Sequence, residues 1–400
     1  MTFNNWKELC IGGNKLKRLV RVSDGLVLFE LPSGPDYSEP FWIKGDGVTK
    51  QSEIYFKATV DPSTLSPILM STDKKNWTPI EWTKTTTDTD EYWMSLLSDN
   101  KDSNKRYFMR DSEVPIGLGS DAGINIGYNA YNTNPSFKLG GNINSLLCKN
   151  FSTLTDISGL DKCFFGFLYA PYTVTNTVTN TVTNIDELLL PSKQIGLSCY
   201  YLFSGYNGDN KLNTSLSSVG FTLDVEDITN YGCYRMFRNT SVAKGPKFTN
   251  LKSVGDYGLA DAFRGCSSLS SVELPSTPIS VGASGFSYAF SGTGIKEVEN
   301  LSLSGIGSSG CVGMFFSCAD LEKIDGLSAE NLSGNALLSA FANCSSLTSV
   351  QDLHIDNSED ASKKKGSSVC SYTFCGCDSL LSVGGLIKGV YGPYSLRYMF

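Results

Sequence analysis

The stretch that decides the fold runs Leu259-Ala-Asp-Ala-Phe263-Arg-Gly-Cys266-Ser-Ser-Leu269-Ser-Ser-Val272. It returns as Cys311-Val-Gly-Met-Phe315-Phe-Ser-Cys318-Ala-Asp-Leu321-Glu-Lys-Ile324 and as Leu337-Leu-Ser-Ala-Phe341-Ala-Asn-Cys344-Ser-Ser-Leu347-Thr-Ser-Val350. A further copy is Cys370-Ser-Tyr-Thr-Phe374-Cys-Gly-Cys377-Asp-Ser-Leu380-Leu-Ser-Val383. The unit reads C-x-x-x-F-x-x-C-x-x-L-x-x-V. Degenerate copies centre on Phe167, Phe203, Phe237 and Phe290, and a last one breaks off at Phe400. The spacings from phenylalanine to phenylalanine are 36, 34, 26, 27, 25, 26, 33 and 26, a base period of 26 with three insertions.

A period in the twenties with L-x-x-V-x-L segments is the signature of a leucine-rich-repeat solenoid. Three columns form its expected core. Phe237, Phe263, Phe290, Phe315, Phe341 and Phe374 make the first. Cys266, Cys318, Cys344 and Cys377 make the second, and Leu269, Leu321, Leu347 and Leu380 the third. The A-F-x-x-C segment is expected to form a short helical turn that brings Phe263 and Cys266 onto one face. The strand that follows alternates: Val272 and Leu274 inward, Ser271 and Glu273 outward. Repeated along the array, the outward residues are Ser271, Glu273, Glu297, Glu299, Lys323, Asp325, Ser349 and Gln351, the expected ligand face.

Ahead of the repeats, residues 1–38 hold two apolar, β-branched runs around Ser23-Asp24-Gly25, a hairpin too small to make its own core. It is expected to anchor on something else. Pro32, Gly34 and Pro35 follow as a linker. Residues 39–140 read as short strands at Phe41–Lys44, Ser52–Thr59, Ile68–Ser71, Trp82–Thr85, Trp93–Leu96, Lys105–Met109 and Phe137–Leu139. With four of the five tryptophans, this region predicts a β-sandwich. Residues 141–400 are assigned to the repeats. The chain stops at Phe400 midway through a unit, so the reading expects either a covering chain or a continuation of the polypeptide.

The repeat resembles the BspA-like leucine-rich-repeat family across residues 150–400, most closely at the Cys-Ser-Ser-Leu copies of 266–269 and 344–347. Residues 188–203, L-L-L-P-S-K-Q-I-G-L-S-C-Y-Y-L-F, are similar to a divergent unit found in proteins of gut Bacteroidales and their phages. There too a β-rich domain ends in a stretch like Phe137-Lys-Leu-Gly-Gly-Asn-Ile-Asn-Ser-Leu-Leu147. The leader N-W-K-E-L-C-I-G-G-N-K-L-K-R-L-V is also of that kind. The resemblance implies adhesion or surface interaction and no catalytic residues. Several copies lack one or both Cys, so ligand specificity does not carry over.

Composition narrows the chemistry. The 400 residues carry 33 Lys+Arg against 40 Asp+Glu, a net charge of −7 that gives no reason to expect nucleic acid. A single histidine, His354, excludes metal sites needing two, and a structural or surface role is its plainer reading than a catalytic base. No apolar run approaches the roughly 18 residues of a membrane span. The N-terminus has no apolar core of a secretion signal, which favours a phage virion protein over a bacterial lipoprotein. Cys370, Cys375 and Cys377 with His354 suggest zinc on paper, but two of them occupy repeat positions filled elsewhere by Leu259, Phe286, Leu337 or Thr293. Stacked core thiols are the better account, and no metal or cofactor is expected. Gly117–Gly123 reads as a turn rather than a dinucleotide loop, and Asp88, Asp90 and Glu91 as a polar hairpin loop rather than a calcium site. The Thr173–Asn184 repeats and the charged run Asp356–Lys365 read as loops.

The expectation is a non-enzymatic phage virion protein of tail or capsid. It would bind other virion proteins through its N-terminal segment and a host surface glycan or protein through its repeats. A bacterial cell-surface adhesin and a purely architectural virion component are the alternatives. A homo-oligomer stays open, with no heptad to support a coiled coil. A surface hydrolase has no motif behind it.

Overall fold

In the computed structural model the described residues are 36–45, 66–84, 103–116, 136–160, 181–196, 222–357, 368–389 and 394–400, with shorter pieces between, chiefly strands. The chain divides into two compact units, Met1–Asp36 and Tyr37–Phe400. In the first, Arg18–Val20 pairs antiparallel with Val27–Glu30; Ser23-Asp24-Gly25, where a hairpin turn is expected, lies outside the described residues. Gly117–Gly123, Asp88, Asp90, Glu91, residues 173–180 and residues 358–365 also lie outside them.

The second unit begins as antiparallel sheet and ends as parallel sheet. One four-stranded sheet has the order Asn125–Ala130, Ser52–Ala58, Tyr92–Leu97, Thr83–Lys84. A seven-stranded sheet runs Thr222–Leu223, Thr181–Leu190, Ser136–Asn142, Trp42–Gly45, Arg106–Arg110, Ile68–Ser71, Thr78–Pro79. Ser136–Asn142 is the hinge of this sheet: antiparallel to Trp42–Gly45 on one side, parallel to Thr181–Leu190 on the other. The strand runs across residue 140, so the sheet itself passes from the N-terminal region into the repeats. Buried apolar residues form one continuous core from Phe41 to Met399.

Polar residues fasten this passage. Ser145 Oγ donates to the Phe108 carbonyl at 2.7 Å and accepts from the Phe41 N–H at 2.9 Å. Asn142 and Asn144 are fully buried. Asn142 Nδ2 donates to the Tyr37 carbonyl at 3.0 Å, and Asn144 Nδ2 to Ser192 Oγ at 3.0 Å. These bonds tie strands far apart in sequence, while Asn144 Oδ1 is buried with no hydrogen-bond partner among the described residues. Gly141 has φ +74°, and a Cβ there would stand 2.1 Å from the Pro40 carbonyl oxygen, so only glycine fits.

From Gln194 onward the repeats lay down an eight-stranded parallel sheet: Gln194–Ile195, Asp227–Ile228, Ser253–Val254, Ile279–Val281, Glu297–Ser304, Lys323–Glu330, Ser349–Asn357, Ser382–Gly389. Each strand pairs with its equivalent one repeat on, as Glu297 with Lys323 and Lys323 with Ser349. Val298, Ile324 and Val350 point into the core.

The phenylalanine column is a stack. Ring centroids from Phe203 through Phe237, Phe263, Phe290, Phe315, Phe341 and Phe374 to Phe400 lie 4.9, 5.3, 5.4, 5.2, 5.2, 5.5 and 5.6 Å apart. Such offset stacks add about 0.5–1.5 kcal/mol per pair beyond the burial itself. Of the residues expected to face inward, Val272, Leu274 and Leu380 are only partly buried and pack against the edge of the cluster.

The helical turn expected around each phenylalanine is not there: no described residue from 229 onward is helical. The segment is a ribbon of overlapping β-turns. The N–H groups of Gly258, Ala260, Ala262, Arg264 and Cys266 each donate to the carbonyl three residues back. The N–H groups between them, of Tyr257, Leu259, Asp261, Phe263 and Gly265, donate instead to Ala283, Gly285, Ser287, Ala289 and Ser291 in the next repeat. A helix would spend all its N–H groups on itself; this ribbon spends half of them binding the next coil. The backbone achieves this with a positive φ at every fourth residue, 56° at Tyr257, 55° at Asp261 and 75° at Gly265, the feature a type II turn needs at its third position. Phe263 and Cys266 still share one buried face, because a turn also brings residues three apart together.

Candidate interaction surface

The side chains the sequence places on the outer strand face divide into two groups. Glu297, Lys323 and Ser349 are successive partners in one column, and Glu299, Asp325 and Gln351 in the next. Residues two apart on a strand share a face, so these six lie together over the buried Val298, Ile324 and Val350. Glu297, Glu299 and Gln351 are exposed, while Lys323, Asp325 and Ser349 are half-buried. Lys323 Nζ sits 2.7 Å from Asp325 Oδ2. That hydrogen bond, with the charges of Asp325, Glu297 and Glu299, raises the lysine pKa above its ordinary value.

Ser271 and Glu273 stand apart from this group. Their strand pairs with Lys244–Lys247 in a separate two-stranded parallel sheet, with Glu273 2.9 Å from Lys247 Nζ. The repeat holding them is interrupted by Pro275 and Pro278, and its contribution to the eight-stranded sheet is the later strand Ile279–Val281. Proline cannot donate to a ladder, and two of them break what is one strand in later repeats into two arms.

Those later strands carry a second outward set that the L-x-x-V-x-L reading passes over. At Asn300, Gly326 and Asp352 the backbone turns through positive φ, 50°, 74° and 49°. Beyond this corner Leu301 and Leu303, Leu327 and Ala329, Leu353 and Ile355 are buried. Between them Ser302, Ser328 and His354 form one half-exposed column, and Ser304, Glu330, Asp356 and Lys388 the next. Lys388 Nζ is 2.7 Å from Asp356 Oδ2, and His354 Nε2 lies 4.0 Å from the same oxygen. The signal was available as a second run of period-two alternation, L-S-L-S, L-S-A-E and L-H-I-D. His354 is thus a strand residue beside a carboxylate.

The cysteines line the interior. Cys266, Cys318, Cys344 and Cys377 each direct Sγ at the carbonyl of the preceding repeat's phenylalanine, 2.9, 3.0, 3.2 and 3.2 Å away. Thr240 and Thr293 hold the same position, and each hydroxyl donates to its own repeat's phenylalanine carbonyl at 2.8 Å. The position therefore selects a small side chain with a hydrogen to give, which an apolar-packing account alone does not explain. The other cysteine position, four before the phenylalanine, is apolar: Cys233, Leu259, Phe286, Cys311, Leu337 and Cys370 are all buried there. Burial pushes the Cys266 thiol up to about 11 and Cys370 to about 12. Among the described residues no group of three or more His, Cys, Asp or Glu is arranged to hold a metal ion. No helix among them is long and apolar enough to cross a membrane.

Residues 229–380 match the family model described as BspA type leucine rich repeat region, in six copies. The units around Phe167 and Phe203 lie outside that match. Repeats of this type suggest a surface or protein-interaction role. No curated protein and no solved structure matches the chain.

Proposed function

We propose that the chain is a non-enzymatic surface-interaction protein whose repeats form a solenoid, carried on the β-sandwich read over residues 39–140 and presenting the strand face to its ligand. One observation carries the reading: the in-register columns Glu297–Lys323–Ser349 and Glu299–Asp325–Gln351 lie over a fixed core. A ligand meeting this face finds mixed charges at the regular strand spacing of about 4.8 Å. Mixed-sign, hydrogen-bonding columns suit a polar protein surface or a glycan, and no catalytic motif in the sequence accompanies them. The proposal needs no cofactor. The resemblance of residues 137–147 and 188–203 to proteins of gut Bacteroidales and their phages supports a place on a virion, at tail or capsid. There the N-terminal unit would bind other virion proteins and the repeats the host surface.

The test is binding of the fluorescently labelled chain to a panel of gut Bacteroidales cells, beside a variant with Glu273, Glu299 and Lys323 changed to Ala. Strong binding to a few strains, lost in the variant, is the expected result. Binding that survives the three substitutions moves the site off these columns. Binding to no strain favours the architectural component.

A further inference from the structure

The turn ribbon contains a choice of residues that neither backbone nor core requires. Bulky side chains are rare at positive φ, where each non-glycine residue costs about 1–3 kcal/mol. In one column of the ribbon later repeats fill that conformation with Ser284, Ser309, Asn335 and Ser368, at φ 54°, 58°, 58° and 63°, before Tyr394 at 64° ends it. Serine and asparagine are small, and asparagine tolerates the conformation well. Yet the same column begins with Tyr231 and Tyr257, at φ 59° and 56°. Their side chains do not fill the core: they are 37% and 40% exposed. Instead the two rings stack on one another in the open, centroids 4.9 Å apart and planes within 7°.

Beside this pair is a cluster of guanidinium groups. Asp261, nearly buried, receives Arg235 Nε at 3.1 Å and Arg238 Nη1 at 3.4 Å on one oxygen, and Arg264 Nη1 at 3.1 Å on the other. The Arg235 guanidinium also lies over the Tyr234 ring at 4.7 Å and donates to Tyr201 Oη at 2.6 Å. Tyr234 in turn packs edge-on against Tyr231, at 5.8 Å. Three guanidinium groups share one carboxylate. Asp256, next to Tyr257, accepts from the Ala283 N–H, and counting it the described residues here carry three positive charges against two negative. The excess stands on a chain of net charge −7.

We infer that this turn face, built on Tyr231, Tyr257, Arg235 and Arg264, is a second binding surface, distinct from the strand columns, and that its partner is an acidic polypeptide. Tyrosine and arginine are the side chains that dominate protein interfaces. Rigid tyrosines among small Ser, Gly and Asn residues are the composition of antibody paratopes, where they give contact area at low entropic cost. Guanidinium groups already held in place match carboxylates in charge and geometry. The positive-φ tyrosines are strain held where contact is made.

The experiment uses the full chain and a labelled poly(Glu,Tyr) copolymer, with polygalacturonate as an acidic glycan of comparable charge. The variant Tyr231→Asn/Tyr257→Asn removes the rings while keeping a residue the column already accepts. Saturable binding of the copolymer is expected. It should weaken at least about tenfold in the variant, as for an interface anchor. The melting temperature of the variant should be unchanged or higher, because asparagine relieves the strained backbone. Arg264→Gln should weaken binding several-fold and steepen no salt dependence. The inference is overturned if the copolymer does not bind, if the tyrosine variant binds equally well, or if polygalacturonate binds as tightly as the copolymer. None of these results bears on the strand-face columns, whose test is cell binding.

Discussion

The position three residues after each repeat phenylalanine is the most selective in the array. It holds cysteine in four repeats described above and threonine at 240 and 293, and in each case a hydrogen is given to a phenylalanine carbonyl. These carbonyls also accept the backbone N–H three residues on, as Phe315 does from Cys318, so losing the side-chain donor costs about 0.5–1.5 kcal/mol, whereas exchanging one small donor for another costs little. Cys344→Thr is therefore expected to unfold within about 0.5 kcal/mol of the parent, and Cys344→Val to lose about 0.5–1.5 kcal/mol, read from urea midpoints. Phe263→Ala removes a ring stacked on both sides and should cost about 3–5 kcal/mol in the same assay. The phenylalanine, cysteine and leucine columns were legible because their spacing survives every insertion. The distinction between the two cysteine positions was not, because thiol and methyl look alike until the carbonyl they face is known.

Within the elements, strands were easier to read than the segments between them. Ile68–Ser71 falls where its apolar run places it, and the repeat strands begin where L-x-x-V places them. The ribbon was hidden for a physical reason. Its positive-φ positions hold Tyr257, Asp261, Tyr288 and Ser339 as well as Gly265 and Asn343, so glycine and asparagine do not mark it. Its alternate N–H groups are satisfied by the next repeat, a partner that local propensity cannot see. Where Asn239 or Asn343 ends a ribbon, the next repeat has Gly265 or Gly376, since a Cβ there would meet the asparagine Oδ1 at 2.3 or 2.4 Å.

The buried thiols make this packing sensitive to alkali. Burial raises the folded pKa of Cys233, Cys266, Cys311, Cys318 and Cys370 above the ordinary value of about 8.5, so these thiols favour the fold fully below that pH. Their contribution is lost as pH rises toward about 11 for Cys266. Urea midpoints should fall from about pH 9 upward, and less so when Cys266 is replaced by Thr. A thiol reagent at pH 8, in a Cys10→Ser background, should label Cys375 alone among the described cysteines, because the other ten are buried. Glu226 acts at the other end of the scale. Hydrogen bonds from Lys252 and Lys193, in flanking repeats, hold its carboxyl down to about 2. Its stabilising contribution is complete above the unfolded value of about 4.3 and is lost as pH falls toward the folded one. Glu226→Gln should flatten that acid limb.

At the scale of the whole molecule, a repeat array depends on each coil finding its neighbour and on a first coil having something to stack upon. The strand Ser136–Asn142 supplies that start, one edge antiparallel to the N-terminal strands and the other parallel to the repeats. Gly141→Ala, which drives a Cβ into the Pro40 carbonyl, should weaken the array from its beginning: a lower melting temperature and earlier proteolysis of the repeats are expected. The residues of this junction were quoted in the sequence for their likeness to other proteins, not for the work of Asn142, Asn144 and Ser145. Buried amides and hydroxyls acquire meaning only once their distant partners are placed.

The measurement that tests the central claim most directly is a hydroxyl-radical footprint of the chain bound to surface material from a strain it recognises. Protection centred on residues 297–299, 323–325 and 349–351 is the predicted result. A chain that binds while those three segments stay as reactive as in the unbound protein would contradict the claim that the strand face makes the contact.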